Sequence, residues 1–417
     1  MASPRSPEHS DHAAPAPTVT LGRLVLPVYL PVIAGTIGVA LLIPVLPLYL
    51  TASGLSLGAT SVVLAAVGLG AAIGSLPAGS LIARWGERRV LFGALATLAV
   101  GTALLGVTTA VLALVALRMS AGASGVALRL SRQTYIARRV PADRRGRAMA
   151  MIGGSFRLAL LVGPLVGGLL ADTVGFTATF VAAGVFTTIG LIPPLVAGPH
   201  HLPSRGGVEA VRQSGVIEGL RTHWRLLLLA GVVPLLVMTV REGRFVVLPL
   251  ISDELGLSPT AVGAVITVGT AADLLLFPAA GYVMDRFGRL FAMLPAFSLI
   301  AVGLVLLGVA ETTAAVIVSG AVIGVGNGLS SGTMLTFGSD LAPADATGPF
   351  LAGLAAMQDG GRIAGPLLVG LIGARAGLGA ASIALAIVLV GATVWLVVFV
   401  GETGERGARP ALASQRA

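Results

Sequence analysis

The chain has no cysteine and no lysine, and among its 417 residues it has a single asparagine, Asn327. Without cysteine there can be no disulfide framework and no thiolate metal site. The histidines are His9, His12, His200, His201 and His223, all in the N-terminal tail or in one polar stretch, so no histidine metal site can form inside an apolar segment. Charge is scarce: 11% of residues are charged while 55% are hydrophobic, against about 25% charged in an ordinary soluble domain. Most of the surface must therefore face something other than water. The 27 basic residues are all arginine. With abundant Ala and Gly, this bias fits a GC-rich bacterial genome. The net charge of +9 does not indicate nucleic acid, because the arginines fall in short stretches between apolar runs.

What is present is a series of apolar runs of about twenty residues, the length that crosses a bilayer as a helix. Twelve spans are expected at 24–50, 59–83, 90–108, 110–131, 148–171, 176–197, 225–250, 259–284, 290–310, 313–337, 348–373 and 378–400. The breaks at 108–110 and 310–313 are the least marked. Helices are required because a bilayer interior offers no water to unpaired backbone groups. The first run is too long for a signal-peptide core and is expected to be retained. Residues 1–23 read as a disordered cytoplasmic tail, 24–197 as a first six-helix bundle, 198–224 as a cytoplasmic linker, 225–402 as a second bundle and 403–417 as a closing cytoplasmic tail.

Arginines cluster after even-numbered spans: Arg84, Arg88 and Arg89; Arg138, Arg139, Arg144, Arg145 and Arg147; Arg205, Arg212 and Arg221; Arg286 and Arg289. The intervening loops hold none except Arg375. This asymmetry predicts both termini on the cytoplasmic side of a bacterial plasma membrane. The two halves also echo each other at an offset of 202 residues: Leu46-Pro47-Leu48 with Leu248-Pro249-Leu250, Leu55-Ser56 with Leu257-Ser258, Gly79 with Gly281, and Pro141-Ala142-Asp143 with Pro343-Ala344-Asp345. Halves of six spans each must run parallel, which puts a ligand site between them near the midplane.

Four motifs stand out. Gly281-Tyr-Val-Met-Asp285-Arg286-Phe-Gly288-Arg289 joins spans 8 and 9, and its first-half counterpart is Gly79-Ser-Leu-Ile-Ala83-Arg84-Trp-Gly86-Glu87-Arg88. Glycine allows close helix approach, and Asp285 with Arg286 and Arg289 can form a cytoplasmic latch; Ala83 and Glu87 depart from that pattern in the first half. Span 4 carries Arg118-Met-Ser-Ala-Gly122-Ala-Ser-Gly125, with Arg118 about eight residues, or roughly 12 Å, inside its helix. Span 5 carries Gly163-Pro164-Leu-Val-Gly167-Gly168, and span 11 a similar Gly361-Arg-Ile-Ala-Gly365-Pro366. These glycines suit tight helix packing, and the prolines suit bending.

From about residue 20 to 402 the chain resembles the major facilitator superfamily, most closely its twelve-span drug:proton antiporters. The resemblance implies an all-α membrane fold of two six-helix bundles and a conformational latch in the 2–3 and 8–9 loops. It also implies, through the span 5 element, export of a small molecule by alternating access. Such a carrier draws on a proton gradient, needs no cofactor, metal or catalytic residue, and is expected to act as a monomer in the bilayer, with no nucleic-acid partner.

Charged residues within the spans are Arg118, Arg157, Arg241, Glu242, Arg244, Asp273, Asp359 and Arg362. Charge at that depth is costly and marks a cavity or a partner. Asp359 and Arg362 stand three apart on one helix, close enough to pair. Glu242, Asp273 and Asp359 are the candidates for proton coupling, with a static ion pair the competing reading for each. Span 1 lacks the acid that many drug:proton antiporters carry, and five arginines against three acids bias the interior toward an anionic or neutral substrate. The alternative within transporters is an uptake carrier for a metabolite or organic anion. A channel fits the repeat and latch less well. The G-x-S-x-G match at Gly328-Leu-Ser330-Ser-Gly332 lies in an apolar span with no histidine near, so an enzyme is not expected.

Overall fold

The computed structural model describes residues 30–140, 142–192 and 221–403, and its regular structure there is entirely helical. The tail expected at 1–23, most of the 198–224 linker, and all but Thr403 of the 403–417 tail lie outside the described residues. Eight helices are long and apolar enough to cross a membrane. Three of these are double spans, each bent at one glycine: Leu57–Leu104 at Gly86 into spans 2 and 3, Ala142–Ile189 at Gly175 into spans 5 and 6, and Thr347–Trp395 at Gly377 into spans 11 and 12. Span 1 is Leu30–Ala52, span 4 Val111–Arg139, span 7 Trp224–Glu254, span 8 Pro259–Phe287 and span 9 Arg289–Gly308. With the shorter helix Thr313–Leu329 as span 10, the described residues hold twelve spans.

The bends show why the repeat matters physically. Gly86, Gly175, Gly288 and Gly377 have φ of 81°, 85°, 102° and 87° with ψ near 160°, a region essentially open to glycine alone. They fall in two pairs, 86 with 288 and 175 with 377, each at the 202-residue offset. The duplication is thus written in the backbone: the same glycine turns the chain back into the bilayer at the same place in each half.

Helix ends differ from the hydropathy boundaries where polar residues extend a helix beyond its apolar run. Span 4 continues to Arg139 and the helix of span 5 begins at Ala142, because helical hydrogen bonding does not require the side chains to be apolar. The breaks near 108 and 310 are real. Span 10, expected as one helix over 313–337, is instead interrupted: Thr313–Leu329 stops, Gly332 takes a left-handed conformation with φ 79°, and Thr333–Leu341 resumes.

Packing within each half rests on glycine. A Cβ on Gly122 would lie 2.0 Å from the Val67 carbonyl oxygen of span 2, and Cβ atoms on Gly163 and Gly167 would collide with Ala40 and Leu41 of span 1. In the second half, Gly361 and Gly365 press against Leu235 and Thr239 of span 7 in the same way. In lipid, where hydrophobic burial does not drive helix association, such close backbone approach supplies the attraction. Large apolar side chains such as Leu112 and Ile387 point outward, at 83% and 66% exposure, where acyl chains would solvate them.

Among the described residues, the halves touch at the far end and at mid-depth. At the far end, opposite the 2–3 and 8–9 loops, Gly168 of span 5 abuts Pro259 of span 8, Gly263 abuts Pro164, and Gly370 of span 11 abuts Ser61 of span 2. The Asp172 carboxylate there accepts the Thr260 N–H at 3.0 Å across the halves. At the latch end, Gly79 and Gly281 face open space, with nothing within 4 Å of where a Cβ would stand. This conformation is closed at the far end and open at the latch end.

Candidate functional site

Spans 5, 7, 8, 10 and 11 each bring ionisable or hydroxyl groups to mid-depth between the halves. Arg157 of span 5 reaches across to the second half. Its guanidinium pairs with Asp273 of span 8 at 2.8 Å, donates to the Ser331 hydroxyl at the break of span 10, and lies 4.1 Å over the Phe277 ring. The other Asp273 oxygen accepts from Asn327 Nδ2 at 2.5 Å. Arg241 of span 7 donates to the Ser330 hydroxyl at 2.8 Å, and that hydroxyl donates to the main-chain carbonyl of Asn327 at 2.9 Å. The interruption of span 10 therefore supplies two serine hydroxyls to two arginines on different halves, as broken helices do where backbone borders a cavity.

A second group sits on spans 7 and 11. Arg362 binds Asp359 at 2.7 Å, one helical turn away, and approaches Glu242 at 3.7 Å. The three acids of the cluster are thereby taken up by two arginines. Arg118, Arg241 and Arg244 have no carboxylate within salt-bridge distance among the described residues, and the Nε of each is buried without a hydrogen-bond partner. Arg244 rests against the Phe245 ring at 4.7 Å. It also borders a small recess between spans 7, 8 and 10, otherwise lined mostly by apolar side chains.

The charged residues singled out in the sequence thus converge from five spans, whereas three of the glycines singled out with them have no neighbouring helix in this conformation. Gly79 and Gly281 hold no neighbouring helix in this conformation, because the latch end is open, and Gly125 likewise has nothing within 4 Å of its Cβ position. Gly86 and Gly288 serve as turn residues. Within the 8–9 loop, Asp285 is 84% exposed and only 3.9 Å from Arg289, while Arg286 donates to the Tyr282 hydroxyl. Arg84 lies beside the exposed Trp85 in the corresponding 2–3 loop. The firm contacts of Arg289 are to Asp340, at 2.9 Å, and to the Met284 carbonyl.

Sequence reasoning missed several members. Asn327 stands out in the sequence only by its rarity, Ser330 and Ser331 only through a G-x-S-x-G match that points to no such role, and Phe277 carries no motif. Arg129 and Arg132 lie 11 and 14 residues beyond Arg118, which at about 100° per residue keeps all three on one side of span 4; that periodicity was available to read. Glu402 has no sequence signal, yet its carboxylate accepts the first N–H groups of span 9, Arg289 at 2.8 Å and Leu290 at 2.9 Å. An anion at a helix N-terminus satisfies donors that the helix leaves open. Glu402→Ala is expected to cost about 1–2 kcal/mol, read as a lower thermal unfolding midpoint of the detergent-purified protein. Nearby, a hydrogen bond from His223 at 3.0 Å holds the Asp345 carboxyl below the usual carboxylate range, tying the start of span 7 to the loop before span 11.

Comparison with known proteins follows the same outline. The family described as Major Facilitator Superfamily matches residues 30–241 and 232–416. A chloramphenicol resistance protein of Streptomyces lividans is 27% identical over 56% of this chain and 59% of its own length. The multidrug efflux pump Tap of Mycobacterium tuberculosis is 31% identical over 41% of this chain and 44% of its own. These alignments span less than two thirds of either relative. Among solved structures, a POT family transporter in complex with a thioalcohol-conjugated peptide superposes with a TM-score of 0.75 over 91% of this chain and 95% of that one, at 15% identity, a likeness of fold alone.

Proposed function

The chain belongs to the major facilitator superfamily, and on that premise we propose that it is a secondary active transporter exporting a small amphipathic molecule, a drug or natural product, by alternating access in exchange for protons. The observation that carries this reading is the Arg157–Asp273 pair, in which the cation stands on one half and the carboxylate on the other. Any rocking that closes the latch end and opens the far end changes the separation of spans 5 and 8. A buried carboxylate deprived of its cationic partner binds a proton, and renewed pairing displaces it. One aspartate can thus report to the proton gradient which end of the carrier is open. Glu242 and Asp359, which share Arg362, both stand on the second half and have less to gain from its motion relative to the first.

Export is supported by the span 5 element, whose Gly168 and Pro164 sit where the halves touch, and by the resistance and efflux roles named for the two relatives. With the arginine-rich loops on the cytoplasmic side, the open end takes cargo from the cytoplasm. The carrier works as a monomer and needs no cofactor.

Everted vesicles given an acid-inside gradient test this directly. Some members of a panel of lipophilic cations, anions and neutral antibiotics are expected to collapse the gradient, read with a fluorescent dye, and to leave it intact in vesicles lacking the protein. Silence across the whole panel would overturn proton-coupled export in favour of an uptake carrier for a metabolite or organic anion.

A further inference from the structure

Three half-buried arginines have no carboxylate within salt-bridge distance among the described residues. Arg118 enters the cluster from span 4, and Arg241 and Arg244 from span 7. Glu242 lies within electrostatic reach of all three, but it makes its ion pair with Arg362. Desolvating a guanidinium is expensive, and an interior normally supplies it with a carboxylate or a full set of hydrogen bonds. Here the Nε of each remains unsatisfied, and the guanidinium of Arg244 lies against the Phe245 ring. Three such groups within electrostatic reach of one glutamate leave this cluster short of negative charge.

Two further features bear on what would supply that charge. Arg244 and Asp273 also border a recess whose remaining wall includes Phe245, Leu248, Val265, Ile266 and Ile323, a lining suited to apolar atoms of a small ligand. On span 4, Arg129 and Arg132 continue the side of Arg118 toward the open latch end. Arg129 is exposed and within electrostatic reach of Asp359 and Arg362 across the gap. The Nε of Arg132 is again buried without a partner. Arginines spaced along an open cavity raise the local concentration of anions and draw them inward.

We propose that the cargo is an amphipathic organic anion, its carboxylate, sulfonate or phosphate group bound by Arg118, Arg241 and Arg244 and apolar atoms of its body seated in the recess between spans 7, 8 and 10. The proposal rests on the transporter reading above but not on its direction or on proton coupling. The guanidinium fork suits bidentate binding of such groups. Once the anion is in place, the charge of the cluster is closer to balance, which lowers the barrier to enclosing it when the latch end shuts.

The test is equilibrium binding to purified protein in nanodiscs, with four probes of one ring system: naphthalene-1-sulfonate, naphthalene-1-carboxylate, neutral 1-naphthylmethanol and cationic 1-naphthylmethylammonium. The anions are expected to bind at least tenfold more tightly than the neutral and cationic probes. Arg241→Gln and Arg244→Gln are each expected to weaken the anions at least tenfold while leaving the neutral probe unchanged. A cation bound as tightly as the anions, or no binding of either anion at millimolar concentration, would overturn the proposal, and the wild-type comparison decides this even if a variant fails to fold. Anion binding without collapse of the proton gradient in vesicles would sink proton-coupled export and leave this inference standing. Gradient collapse by cations alone would do the reverse.

Discussion

Replacing Arg157 with Gln is expected to abolish transport while the purified protein stays folded and monodisperse. Arg157 is the side chain of the first half that binds the cluster of the second, touching Asp273, Ser331 and Phe277 at once. Both members of the ion pair are shielded, at 22% and 15% side-chain exposure. Removing one partner of a buried pair typically costs 3–5 kcal/mol; taking about 3 kcal/mol for this partly shielded case, with about 1.4 kcal/mol per factor of ten, predicts a loss of about a hundredfold. The loss should fall on transport, because the pair joins two halves that must separate in any case, and each half keeps its own glycine-packed core. Arg362→Gln should give a comparable loss by a different route, leaving Asp359 and Glu242 without their shared cation in the interior. Initial rates in vesicles, normalised to immunoblotted protein, together with gel filtration in detergent, measure both. Wild-type rates in the two variants would remove the cluster from the mechanism.

Two glycine substitutions should separate folding from conformational exchange. A Cβ on Gly168 would stand 2.1 Å from the Pro259 carbonyl oxygen, and one on Gly122 would stand 2.0 Å from that of Val67. The clashes are alike in size but differ in what can yield. Spans 5 and 8 belong to different halves, and the far end can open to relieve the contact. Spans 2 and 4 belong to one half, and nothing but unfolding or distortion relieves theirs. Gly122→Val is therefore expected to destabilise the protein by about 3 kcal/mol, the upper part of the overpacking range, with a clear fall in the yield of folded protein. Gly168→Val should fold and favour the conformation open at the far end. Because the chain has no cysteine, a single Ser61→Cys probe, at a position 1% exposed and facing Gly370, reports that opening. Its maleimide labelling should rise at least tenfold in the Gly168→Val background, corresponding to about 1.4 kcal/mol of population shift. Equal labelling in the two backgrounds would show that the far-end contact does not control access.

Much of this architecture is legible from residue order because the bilayer imposes a strong, local rule. A run such as Leu24 to Leu50 has to be helical to cross, and arginine is kept to one side of the membrane. The repeat was equally readable, since Gly79 and Gly281 share an offset with Pro141 and Pro343. The interruption of span 10 was not, because Ser330, Ser331 and Gly332 are as compatible with an apolar helix as with a break. The difference is made by Arg157 and Arg241, which come from other spans to bind the two hydroxyls. Glu402 was illegible for a similar reason: its partners are backbone N–H groups more than 110 residues away, which no side-chain pattern reveals.

Residue order alone sets how many times the chain crosses the bilayer, that its two halves are copies, which loops carry the positive charge and which charged residues are forced to lie at depth. Each of these follows from hydropathy and spacing along one helix, where 1.5 Å per residue converts position into depth. Which of those charges meet depends on how the helices pack. Arg157 is neutralised by Asp273 across the halves, and Arg362 by its own helix and its neighbour, while Arg118, Arg241 and Arg244 are left without an anion. Pairing at mid-depth depends on the rotation and crossing of helices far apart in sequence, and these are set by backbone contacts at glycines such as Gly163, Gly168 and Gly263. A surplus of arginine can be counted from composition, but the side chains that carry it are identified only once the helices are packed.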